Sequence, residues 1–86
     1  MELRVLQYFL AVAREENISG AAEFLHLSQP TLSRQLKDLE DELGKQLFIR
    51  GNRKITLTEE GMILRKRAEE ITELVKKTED EITSSD

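Results

Sequence analysis

Residues 18–37, ISGAAEFLHLSQPTLSRQLK, leave this chain few ways to fold. Ala21, Ala22 and Leu25 fall on one side of a short helix over 18–26, and the two alanines there let a second helix approach closely. Asn17 is suited to cap that helix. The chain then turns through His26-Leu27-Ser28. Ser28 caps a further helix, and Pro30 sits in its first turn, where backbone N–H groups lack helical partners anyway. Leu32, Leu36, Leu39 and Leu43 give this helix a buried stripe, and Gly44 is placed to end it. The turn calls for left-handed backbone geometry and is commonly glycine. Here it is His26, a residue type enriched in that region among non-glycines. The pattern predicts a helix-turn-helix, with apolar Leu25 and Leu27 flanking the turn.

The rest of the chain completes a small mainly α fold. Leu3, Leu6, Leu10 and Ala13 recur at steps of three and four, widened by Phe9 and Val12, and predict a first amphipathic helix that Glu15, Glu16 and Asn17 end. Residues 46–50 and 54–58 read as short strands around the turn Gly51-Asn52-Arg53. Leu47 and Ile49 are expected on one face, opposite Phe48. Ile55 and Leu57 share a face of the second strand. Thr58 caps a last helix, with Glu59 and Glu60 complementing the macrodipole of its first turn. It is expected to run to about Ile82, with 83–86 frayed. The predicted fold is a three-helix core with a two-stranded wing over residues 1–57, and a linker or dimerisation helix over 58–86. The helix-turn-helix occupies 18–37 and the wing 46–58. With 86 residues the chain makes one domain that buries roughly 60–65% of its unfolded surface, so a partner or a long packed helix would help to hold it.

Charge and composition exclude several functions. The net charge is −4, but residues 1–57 are neutral, with 8 basic and 8 acidic side chains, and the acid excess lies in 58–86. Between Lys45 and Lys54 the chain carries Lys45, Arg50, Arg53 and Lys54 and no acid. Local potential governs a docking surface, so this island outweighs the total. No cysteine is present, so disulfides and thiolate metal sites are excluded. The single histidine lies in the turn, and no nucleophile–base pair or metal cluster is visible, so neither catalysis nor a cofactor is expected. The opening MELRVLQYFLAVARE lacks a signal peptide's basic start and cleavage site, and no apolar run approaches the ~20 residues of a membrane span. The expected compartment is the cytoplasm.

With Leu32 and Leu36 inward, the outer face of the third helix carries Gln29, Pro30, Thr31, Ser33, Arg34 and Lys37. These are residue types that read a DNA major groove. Arg34 suits guanine O6 and N7, Gln29 suits adenine, the Thr31 methyl suits thymine, and Ser33 suits a base edge or phosphate. Ser28 and the first N–H groups of the helix suit a phosphate. A polar face of this kind is by itself ordinary helix surface. Its occurrence together with the alanine pair, the turn and the basic hairpin is what points to duplex DNA. In the wing, Arg53 is expected in a minor groove, with Arg50 and Lys54 on phosphates; a charged hairpin edge also resists aggregation. The competing reading is a winged-helix protein-interaction module without DNA binding.

The blocks MELRVLQYFLAVA, AAEFLHLSQPTLSRQLKDLEDELGKQLFIR and LTEEG resemble the N-terminal domain of LysR-type transcriptional regulators. The resemblance implies that Gln29, Pro30, Thr31, Ser33 and Arg34 make most of the major-groove contacts and that the wing, residues 50–54, meets the adjoining minor groove and backbone. It also implies pairing through the last helix. A small-molecule effector would bind only through a large C-terminal domain that this chain lacks, so the chain is expected to be part of a longer protein. Gly20 departs from the family, where many members carry Arg or Lys. A phosphate contact is then missing, and glycine weakens a short helix. The acidic run Asp38, Glu40, Asp41, Glu42 is expected to point away from the duplex.

In the last helix, Leu64, Ala68, Ile71, Val75, Thr78 and Ile82 are spaced four, three, four, three, four, a heptad seam with Leu74 beside it. Packing on the chain's own domain is the alternative. Arg65 and Arg67 occupy early flanking positions and Glu79 and Glu81 late ones, so an antiparallel homodimer sets opposite charges together, with a crossing near Glu73. The expected pairs are Leu64 with Ile82, Ala68 with Thr78 and Ile71 with Val75 of the other chain. Such a two-fold dimer would address an inverted repeat, with reading helices about 34 Å apart or a multiple of it.

Overall fold

The computed structural model describes residues 1–85 and contains α1 (Leu3–Glu15), α2 (Ile18–Leu25), α3 (Gln29–Leu43), β1 (Phe48–Arg50), β2 (Ile55–Leu57) and α4 (Glu59–Thr83). Of the expected frayed end, Thr83 closes α4 and the Ser84 N–H donates to the Asp80 carbonyl, while Asp86 lies outside the described residues.

Side-chain oxygens start three of the helices. Asn17 accepts from the Gly20 N–H, Ser28 from Thr31 and Thr58 from Gly61. Left-handed residues stop α1 to α3: Glu16 (φ 62°), His26 (φ 59°) and Gly44 (φ 67°). Behind α2 the Leu27 N–H donates to the Ala22 carbonyl and the His26 N–H to Glu23. Behind α3, Lys45 and Gly44 donate to Glu40 and Asp41 in the same way. Both ends are Schellman closures, which satisfy carbonyls that the helix leaves open. The turn at His26 therefore has the backbone geometry read from its position.

The core lies where α1 meets every other layer. Leu6, Phe9, Ala11 and Val12 of α1 pack with Ala21 and Ala22 of α2, Leu32, Leu36 and Leu39 of α3, Leu47 and Phe48, and Leu64 and Ala68 of α4. The Phe9 and Phe48 rings lie 5.2 Å apart, tilted. Because α1 contacts α2, α3, α4 and β2, its buried surface is wider than a single stripe. Ala11 is buried, while Leu3, Leu10 and Ala13 lie at the margin. Two further expectations are corrected. Leu43 is 40% exposed, because the last turn of α3 runs past the core. Ile49 is 53% exposed while Leu47 and Phe48 are both buried. Leu47 precedes the strand: its carbonyl accepts from Thr58 in the hairpin register, but its N–H is turned to Glu40. Beyond Phe48 both Ile49 and Arg50 are exposed, so the expected alternation does not develop in β1. Among the described residues no helix is long and apolar enough to cross a membrane.

Candidate nucleic-acid interface

The first turn of α3 is built by Ser28. Its Oγ accepts the Thr31 N–H at 3.3 Å and donates to Thr31 Oγ1 at 2.8 Å, so both hydroxyls are held in place. Gln29, Pro30 and Arg34 are exposed beyond them, and Thr31 and Ser33 are half-buried. Arg34 forms no ion pair among the described residues. Lys37 is placed on the same exposed face, but its Nζ lies 2.8 Å from Asp41 Oδ1. The hydrogen bond that the Lys37 ammonium donates to that carboxylate, and the carboxylate's charge, hold it above its ordinary pKa.

The acids in the second half of α3 are largely occupied. Glu40 Oε2 accepts the N–H groups of Leu47 at 2.7 Å and Phe48 at 3.4 Å. Asp41 holds Lys37, and Glu42 meets the Met1 ammonium at 2.8 Å. The sequence shows Glu40 as one member of an acidic run; in the structure it is the residue that fastens the start of the wing to α3.

The wing is an antiparallel hairpin in the register Phe48↔Leu57, Ile49↔Thr56, Arg50↔Ile55. The Gly51 N–H donates to the Lys54 carbonyl at 3.0 Å, which puts Asn52 and Arg53 at the tip. Arg50 and Arg53 are exposed and form no ion pair among the described residues. Lys54 is different. Its Nζ lies 3.7 Å from Glu16 Oε2, and the Ile55 N–H donates to the Glu16 carbonyl at 2.8 Å. This corner ties the wing to the end of α1.

Beneath the wing, Thr58 Oγ1 donates to the Gln46 carbonyl at 2.7 Å and accepts the Gly61 N–H at 3.0 Å. Gly61 faces the Leu47 carbonyl so closely that a β-carbon would stand 2.2 Å from that oxygen. Sequence reasoning passed over Gly61, although a glycine inside a helix commonly has a packing reason. At Gly20, an added β-carbon would stand 3.0 Å from Asn17 Oδ1, so the small residue leaves room for the cap of α2.

The expected seam on α4 is corrected by burial. Ala68 is 0% exposed and Leu64 9%, both covered by the chain's own core. Val75 is half-buried and borders a groove with Leu3 and Gln7 of α1. Ile71, Leu74, Thr78 and Ile82 remain exposed, as does Ile63 on the same side. Arg65 and Arg67 have partners within α4: Arg67 lies 2.8 Å from Glu70, and Arg65 4.0 Å from Glu69.

Two helices joined at a left-handed His26, on a third-helix support and followed by a basic two-stranded hairpin, define a winged helix-turn-helix domain. The chain belongs to the lysR family of bacterial regulatory helix-turn-helix proteins, whose profile matches residues 3–62. It is similar to the HTH-type transcriptional regulator BsdA of Bacillus subtilis (strain 168), 56% identical over 72 residues, which are 83% of this chain and 25% of that protein. The chain thus spans about a quarter of that relative's length. Among solved structures, it superimposes with a TM-score of 0.94 on the BenM_DBD/catB site 1 DNA complex, at 40% identity over 98% of this chain and 93% of that one. For the CbnR_DBD–DNA complex the TM-score is 0.91 at 42% identity, over 98% and 97%.

Proposed function

We propose that the chain reads double-stranded DNA sequence-specifically as the binding domain of a dimeric transcriptional regulator. The observation that carries the reading is the division of charge along α3. Its first half offers exposed Gln29, Pro30 and Arg34, with Arg34 uncommitted to any carboxylate among the described residues, while Glu40, Asp41 and Glu42 of its second half are engaged within the chain. Docked by its N-terminal half in a major groove, α3 offers Arg34 to guanine, Gln29 to adenine and the Thr31 methyl to thymine. Ser28, Pro30 and Ser33 lie against base edges and backbone, and Lys37 against phosphate. Arg53 at the hairpin tip enters the neighbouring minor groove. Arg50 and Lys54 face phosphates, Lys54 in competition with Glu16. That BenM and CbnR domains of this shape are solved on DNA favours this over a protein-interaction module.

Residues 1–57 supply the reading unit and 58–86 the pairing helix, although the first turns of α4 belong to the same core. The pairing surface is Ile71, Leu74, Thr78 and Ile82, with Val75 at its edge. Ile63 to Leu74 and Ile71 to Ile82 are steps of eleven residues, which a nearly straight helix keeps on one side. An antiparallel partner then sets Ile71 against the partner's Leu74 and Ile63 against the partner's Ile82. A two-fold pair suits an inverted repeat. The regulator would act in the cytoplasm, with any effector bound by a domain outside this chain. Its relatives are named as regulators, and no catalytic role is assigned. Selection from random duplexes tests the reading. The expected product is an inverted repeat; no enrichment at low salt overturns it.

A further inference from the structure

A helix in a major groove and a hairpin tip in the adjoining minor groove have one sugar–phosphate strand between them. In this chain the space between the second half of α3 and β1 is an open cleft of about 540 Å³, with Lys37, Asp41, Lys45 and Arg50 among its lining. Glu40 also borders it, but its carboxylate is turned onto the Leu47 and Phe48 N–H groups. Gly44, left-handed at φ 67°, has nothing within 4 Å of where a β-carbon would stand, which leaves the mouth beside Lys45 open. Three cations therefore meet in a space that backbone must cross, together with one carboxylate, Asp41, whose partner there is Lys37.

Resting on the DNA reading above, we infer that this cleft seats the backbone phosphates between the two grooves, with Lys45 as a contact, and that Asp41 is an internal competitor that holds down sequence-independent affinity. Lys37 and Asp41 are both exposed, and an exposed pair is loosely held, so a phosphate displaces the carboxylate at little cost. Whether Lys37 stays with Asp41 or passes to the phosphate, Asp41 removes one unit of positive charge from the cleft. Affinity for DNA of any sequence falls, and the base contacts of α3 carry a larger share of the total.

The test compares the 86-residue chain with its Asp41→Asn, Lys45→Ala and Glu2→Gln variants. Fluorescence anisotropy on two duplexes of unrelated sequence is followed from 50 to 200 mM salt. One phosphate contact changes the slope of log K against log salt by about one, or about fourfold across that range. Asp41→Asn should tighten both duplexes alike, with a gain about fourfold larger per bound chain at 50 mM than at 200 mM. Lys45→Ala should weaken both alike, with the opposite change of slope. Glu2→Gln alters net charge equally on another face of the domain and should stay within twofold of the parent. The inference is overturned if the parent binds and either cleft variant leaves affinity and slope unchanged, if the effect falls on one duplex only, or if Glu2→Gln matches Asp41→Asn. Failure of the parent to bind either duplex at low salt overturns the DNA reading instead. Circular dichroism checks each fold; Asp41 and Lys45 are exposed, and neither contributes to the core.

Discussion

Glu40 Oε2 accepts the backbone N–H of Leu47 at 2.7 Å, across the seven-residue step from α3 to the start of the wing. One half-buried carboxylate thus fixes where the hairpin begins relative to the reading helix. Glu40→Ala leaves two N–H groups short of an acceptor and should cost about 1.5–3 kcal/mol, the range for hydrogen bonds to a charged group. Glu40→Gln keeps an acceptor and should cost less. Urea unfolding followed by circular dichroism measures both.

Gly61 fits a position where the Leu47 carbonyl excludes any β-carbon. Gly61→Ala should destabilise by about 1–3 kcal/mol, despite alanine's better helix propensity, because the obstacle is backbone. Gly20→Ala meets only the Asn17 side chain, which can shift, so the propensity gain of up to about 1 kcal/mol should offset most of the crowding there. Equal losses at the two sites would contradict this account of Gly61.

His26 holds a left-handed backbone at φ 59°. His26→Gly removes the β-carbon penalty and should raise stability by about 0.5–1 kcal/mol, net of glycine's greater freedom in the unfolded chain. A rise in melting temperature checks it; a fall would mean that the imidazole makes a compensating contact.

On DNA, Arg34 and Arg53 should fail in different ways. Arg34→Ala should cost about 1–3 kcal/mol and relax discrimination at one base position. Arg53→Ala should weaken cognate and scrambled duplexes together and flatten the salt slope by about one. Titrations on both duplexes at three salt concentrations separate the two. Equal losses for Arg34→Ala on cognate and scrambled DNA would remove its base-reading role.

Pairing through the open stripe of α4 predicts that Leu74→Glu abolishes dimerisation in sedimentation runs while leaving the domain folded, since Leu74 is 63% exposed. The same substitution at Ala68 should instead unfold the domain, because a charge would be buried without a partner. A Leu74→Glu protein that still sediments as a dimer would place the interface elsewhere.

The sequence by itself determined what local chemistry controls. Asn17, Ser28 and Thr58 start helices because a side-chain oxygen three residues ahead of an N–H suffices. His26 and Gly44 stop them because each takes a left-handed backbone. The outward face of α3 followed from its leucine spacing. Tertiary structure decided which element covers which face. Periodicity marks an apolar stripe but not its partner, so Leu64 and Ala68 read as a seam until α1 and the core were seen to cover them. Leu43 and Ile49 lie where helix or hairpin runs past that core, a boundary that spacing does not encode. Glu40 and Gly61 act through backbone groups of Leu47, seven and fourteen residues away. Peptide amides and carbonyls are the same at every position, and only folding shows which of them a side chain meets.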